Sequence, residues 1–222
     1  MLPRGLLLTV MALAAALVVA CGGGDGEEHE GQARLPEGCD EVKTPPSKTV
    51  ELSRPKGIQP PSTGTLAVVE TSCGSFEIRL DTGSSPRTTA SFAHLVEEDV
   101  YDGTAFHRIV PDFVIQAGDP KGDGTGGPGY FVDEPPPPDT EYTKGTVAMA
   151  KTEAEPPGRS GSQFFVVVAA DAGLPANFAL LGNVSAGLGT VQRIAQAGDR
   201  RSGQTGTPRV PVVIEDIALE RG

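Results

Sequence analysis

The chain has 222 residues, enough for one sizeable domain with appendages or at most two small ones, and 38% of them are hydrophobic, enough for a packed core. Its 29 glycines and 20 prolines follow no three-residue period, which argues for many loops and against a fibre. A formal charge of −11 with no basic stripe argues against a nucleic-acid binder, because phosphate contacts need clustered Lys and Arg.

The first twenty residues have one charge, Arg4, then an apolar run with small residues at its end. That is the plan of a secretory signal peptide. A transmembrane anchor is the alternative, but the run is shorter than the ~20 residues a spanning helix needs. Val18-Val19-Ala20-Cys21 resembles the bacterial lipobox, which implies that Cys21 becomes the mature N-terminus and carries lipid. The protein would then sit outside the cytoplasm, held to the membrane by that lipid. An ordinary secreted protein is the alternative. Residues 22–28 are glycine-rich and acidic and read as a flexible tether.

Lipidation of Cys21 leaves Cys39 and Cys73, and an oxidising compartment allows one pairing between them. A Cys39–Cys73 disulfide is expected, with two free buried thiols as the alternative. Residues 21–64, which contain Pro45-Pro46, Pro55 and Pro60-Pro61, read as a flexible tether and N-terminal extension with one ordered stretch around Cys39. The folded domain is expected over residues 65–222. Leu66 to Thr71, then Phe76, Ile78 and Leu80 alternating with polar residues, predict a hairpin turning near Gly74. Ser85-Pro86 predicts a helix start with Ser as cap, and Phe92, Leu95 and Val96 carry that helix to residue 98. Strand-like stretches follow at 105–118, 146–151, 163–169, 179–184 and 211–219, with a second short helix around 188–197. Many short strands, two helices and long Gly/Pro loops suggest a mainly β barrel closed by helices.

Two segments sharpen that reading. Phe106-His107-Arg108 leads through Phe113-Val114-Ile115-Gln116-Ala117-Gly118-Asp119, and Gly161-Ser162-Gln163-Phe164-Phe165 follows. Between them stand Gly124-Thr125-Gly126-Gly127 and a strand ending in Met149-Ala150. This ordered set closely resembles the cyclophilin signature, over about residues 65–221. The resemblance implies an eight-stranded antiparallel closed barrel capped by two helices, with a surface groove for extended peptides. It also implies peptidyl-prolyl cis-trans isomerase activity.

Rotation about an Xaa-Pro bond breaks amide conjugation against a barrier of ~20 kcal/mol, yet no bond is made or broken. The reaction therefore calls for no nucleophile, metal or cofactor, only tighter binding of the twisted amide, roughly 4–8 kcal/mol for a thousandfold to millionfold acceleration. In the twist the prolyl nitrogen regains a lone pair, which a fixed cation stabilises best in a dehydrated groove. Arg108 matches the family's catalytic arginine. Phe113, Val114, Phe165 and Leu174 match the lining of the proline pocket, with Phe178 where a His is common. Phe164 points to the opposite face and reads as core. Gln116 and Gln163 match the groove glutamines, whose amides donate and accept at once. Ala150 and Lys151 match the edge that meets the peptide main chain, Lys151 replacing the usual Asn. His107 matches the histidine beside the arginine, in a substrate-positioning or a structural role. Gly173 stands where eukaryotic members carry Trp, which argues against strong cyclosporin binding. The expected partners are proline-containing peptides or unfolded exported proteins, and nothing suggests more than a monomer. The competing readings are a non-catalytic proline-peptide-binding module of the cell envelope and a structural surface lipoprotein.

Overall fold

The computed structural model describes residues 34–221, so the expected signal peptide and Cys21 lie outside the described residues. The predicted hairpin is β1 (Thr65–Thr71) and β2 (Gly74–Leu80). Alternation turns Ala67, Val69, Phe76, Ile78 and Leu80 inward, and all are buried. The reversal ends on Gly74, whose φ of 95° suits a residue without a side chain. Helix α1 (Pro86–Glu97) follows, with Phe92 and Leu95 buried on its inner face. Ser85 stands at its N-cap but its side chain makes no capping bond. The cap is Glu134, whose buried carboxylate accepts from Arg87 N at 3.2 Å and Thr88 N at 2.7 Å. A carboxylate there satisfies orphan donors and meets the positive end of the helix dipole, so it displaces the local serine.

The run read as one strand over 105–118 is three: β3 (Thr104–Ala105), β4 (Arg108–Val110) and β5 (Val114–Ala117). Asp112 adopts a φ of 65° and folds β4 back on β5. Then come β6 (Val132–Asp133), β7 (Thr146–Met149), β8 (Arg159–Ser160), β9 (Phe164–Val167) and β10 (Leu180–Ala186). Helix α2 (Leu188–Ala195), a 3-10 turn (Arg200–Thr205) and β11 (Val213–Arg221) complete the order.

Nine strands join in the order β3-β11-β1-β2-β10-β7-β9-β5-β4, while β6 and β8 form a separate ribbon. The expected closed eight-stranded barrel is thereby corrected to a curled, open half-barrel of nine antiparallel strands. Its end strands do not pair with each other. Phe106 N bonds instead to Val212 O at 2.9 Å, and Ile109 N on the edge of β4 bonds to Gly206 O at 2.7 Å. A loop after the 3-10 turn thus occupies the edge that a closing strand would take.

The sheet carries apolar side chains on both faces. Ile115, Ala117, Val147, Met149, Phe164 and Val166 enter the main core, where the Phe164 ring packs edge-on against Phe92 and Tyr101. Val114, Ala148, Phe165 and Val167 alternate with them and form a second cluster on the other face. Burial on both faces is why these strands read as continuous apolar runs.

Residues 34–64 have no regular secondary structure, but they are not loose. The Cys39 and Cys73 sulfurs are bonded at 2.01 Å, and Asp40 N donates to Ser72 O at 2.6 Å. Further on, Lys48 N donates to Pro120 O at 2.8 Å and Leu52 N to Pro128 O at 2.7 Å. Val50 and Leu52 rest on the main core. The flexible extension expected here is a strap fastened to the domain, because alternate apolar side chains and a covalent link hold a stretch whose prolines prevent helix.

Candidate functional site

The two-residue period of β5 puts Val114 and Gln116 on the outer face, above the second apolar cluster. The register sets Gln116 opposite Arg108 on β4 and opposite Phe165 on β9. Pairing along the sheet therefore gathers residues far apart in sequence. Arg108 Nη1 donates to Gln116 Oε1 at 3.3 Å, and Gln116 Nε2 donates to Gln163 Oε1 at 3.0 Å. Gln163 Nε2 then donates to Gly124 O at 3.0 Å and Gly126 O at 2.9 Å. That glycine loop is shaped by the buried Asp119, whose carboxylate accepts from Lys121 N at 2.8 Å and Gly124 N at 2.6 Å.

The arginine is also held from a side that its neighbours in sequence do not suggest. Arg108 Nε donates to Gln204 O at 3.0 Å and Nη2 to Gln204 Oε1 at 3.4 Å, across a separation of 96 residues. Gly206, at a φ of 70°, lets the loop lie on the arginine, since a Cβ there would come within 2.8 Å of Arg108 Cγ. The guanidinium carbon lies 5.8 Å from the centre of the Phe113 ring. Burial lowers the Arg108 pKa from its ordinary value, and the group stays cationic at neutral pH. A partly dehydrated cation fixed by two glutamines beside an aromatic ring can stabilise a developing lone pair.

Phe113, Leu174, Phe178 and Ala150 are half-buried and pack around Val114 and Phe165, so all six apolar candidates share one cluster. Phe165 and Phe178 meet edge to face at 5.4 Å. The loop carrying Leu174 and Phe178 is tied by Tyr142, whose hydroxyl donates to Phe178 O at 2.6 Å and accepts from Phe178 N at 3.0 Å. Ala150 N donates to Gln163 O at 2.8 Å, which sets that edge beside the glutamines. The Lys151 ammonium donates to Thr152 O at 3.0 Å and Glu155 O at 3.1 Å and lies 5.4 Å from the Phe178 ring centre. Its side chain braces its own loop over the pocket wall.

His107 lies outside the apolar cluster, near Gly124. Both ring nitrogens are buried without a hydrogen-bond partner among the described residues. Burial pushes its pKa below the ordinary 6.5, against the pull of the Asp119 carboxylate, so the ring is neutral at pH 7.

Tyr142 and Gln204 are the site residues that sequence reasoning missed. Gly203-Gln204-Thr205-Gly206 reads only as a turn, and nothing local says that it folds onto Arg108. Glu141-Tyr142-Thr143 has no periodic signal at all.

The family model for "Cyclophilin type peptidyl-prolyl cis-trans isomerase/CLD" matches residues 66–219. The chain belongs to that family. It is 37% identical over 171 residues to "Peptidyl-prolyl cis-trans isomerase B" of Streptomyces anulatus, covering 69% of this chain and 95% of that one. It is 35% identical over 189 residues to "Probable peptidyl-prolyl cis-trans isomerase B" of Mycobacterium leprae (strain TN), covering 74% of this chain. The chain spans 63% of the length of that relative. A Cryptosporidium parvum cyclophilin type isomerase, crystallised in the presence of the dipeptide Ala-Pro, aligns with a TM-score of 0.63 and 26% identity, covering 71% of this chain and 99% of that one.

Proposed function

We propose that the protein is a peptidyl-prolyl cis-trans isomerase that works as a monomer on Xaa-Pro bonds of exported proteins, outside the cytoplasm and tethered by lipid at Cys21. The observation that carries the enzymatic part is Arg108, cationic and held by Gln116 and Gln204 at the rim of the Phe113–Leu174–Phe178 cluster. The proline ring fills the apolar cluster, Gln116, Gln163 and Ala150 hold the flanking main chain, and the guanidinium donates to the prolyl nitrogen as the amide twists. Donation to that nitrogen favours the twisted form over either planar form, which is the differential binding that catalysis needs. No cofactor enters the reaction.

Export and anchoring rest on the Arg4-led apolar segment and Cys21, and a strap closed by Cys39–Cys73 suits an oxidising compartment. The test has two arms. Exchange of a four-residue proline peptide, followed by NMR, should accelerate on adding the protein; no acceleration by folded protein leaves a peptide-binding module as the better account. A Cys21→Ser variant should move from the membrane fraction to the soluble fraction; unchanged membrane retention overturns the lipid anchor.

A further inference from the structure

Beside the proposed proline site lies a groove of about 870 Å³ that shares Gln116, Ala150 and Gln163 with it. One wall is the glycine loop that Gln163 and Asp119 organise. Its other contributors include residues 48–53, which belong to the strap and not to the half-barrel. Six extended residues span roughly 20 Å, several times the reach of a single Xaa-Pro pair.

The strap is built to hold this position. It is linked to the barrel upstream at Cys39 and fixed at Lys48 N and Leu52 N. Lys48 Nζ also donates to Asp102 O at 2.7 Å. Gly129 is closely fitted beneath it, since a Cβ there would come within 3.0 Å of Glu51 Cα and Leu52 O. Between the fixed points Val50 turns toward the core, while Thr49 and Glu51 are exposed. Thr49, Val50 and Glu51 make no backbone hydrogen bond among the described residues. Immobilised extended backbone with unused donors and acceptors is a template for another extended chain, as in strand addition.

We propose that the strap, residues 48–53, is a second wall of the substrate groove. It grips the chain that flanks the target proline through the main chain and the exposed side chains of Thr49 and Glu51. The occupant is the substrate itself, because Gln116, Ala150 and Gln163 line this groove as well as the proposed proline site. This rests on the proposed isomerase reading and adds to it a preference for long, unfolded segments over short peptides.

The test is an NMR titration of the protein with a four-residue proline peptide and with the same sequence extended by six residues on each side. Both should shift the side-chain amides of Gln116 and Gln163, and only the extended peptide should shift the backbone amides of Thr49, Glu51 and Ser53. The wild-type protein should favour the extended peptide about tenfold in kcat/KM, and a Glu51→Trp substitution should bring that ratio toward unity. The ratio compares two substrates on one variant, so a general loss of folded protein cancels. An extended peptide that shifts the glutamines but leaves the strap amides in place overturns the proposal. If neither peptide shifts Gln116 or Gln163 and neither is isomerised, the isomerase reading fails and this inference fails with it, a pattern distinct from the first.

Discussion

Two side chains near Arg108 make separate predictions. The loop at Gln204 gives the guanidinium a main-chain acceptor at 3.0 Å and a weaker side-chain acceptor at 3.4 Å. A Gln204→Ala substitution removes only the weaker, so kcat should fall a fewfold with KM nearly unchanged. Gly206→Ala should cost more, tenfold or above in kcat, because a side chain at its φ of 70° is strained and would meet Arg108 Cγ at 2.8 Å. Equal, negligible effects in steady-state kinetics would mean that the loop does not position the arginine. His107 makes a prediction about pH. Its buried ring faces Asp119 and Arg108 and binds protons less readily folded than unfolded. Between the lowered folded pKa and the ordinary 6.5 the unfolded chain therefore holds more protons, and stability falls as pH drops through that window. Urea midpoints should decline below about pH 6.5 in the wild type and decline less in His107→Gln, while kcat/KM stays level from pH 7 to 9. A midpoint insensitive to His107 across that window would place the acid loss elsewhere.

At the scale of elements, most of the candidate site was legible because its ordered motifs resemble the cyclophilin signature and strand periodicity sorts their side chains between the two faces. Phe164 and Phe165 fall on opposite faces, as a two-residue period requires, and Val114 and Gln116 share one. What the sequence did not reveal are the braces supplied by distant loops. Ser85-Pro86 is a sound local helix start, yet the cap comes from Glu134 on another segment. The half-barrel stays open because the Gly206 loop occupies the edge of β4, an arrangement that no local pattern encodes. Tyr142 is the clearest case, since one buried hydroxyl bonds both the N–H and the C=O of Phe178. Tyr142→Phe strands both groups, a loss of about 1–3 kcal/mol. It should loosen the pocket wall formed by Leu174 and Phe178, raising KM severalfold more than it lowers kcat. A KM equal to wild type would show that the wall holds its place without Tyr142.

At the scale of the whole molecule, the strap is where the sequence reading and the structure differ most. Proline-rich sequence with little periodicity read as linker, but Val50 and Leu52 rest on the core, and the Cys39–Cys73 bond closes a loop with a sequence separation of 34 residues. A loop of that length stabilises by about 3–4 kcal/mol through restriction of the unfolded chain. Reduction, or a Cys39→Ser Cys73→Ser double variant, should lower the urea-unfolding free energy by that order; no change would mean that strap contacts alone hold it. The isomerase reading itself depends on separating grip from turnover. The most direct measurement is NMR line-shape analysis of one proline peptide at matched occupancy on the wild-type protein and on Arg108→Ala. Both should bind the peptide, while exchange between cis and trans on the protein should slow at least a hundredfold in the variant. Rapid exchange on the variant, equal to wild type, would contradict the role assigned to Arg108.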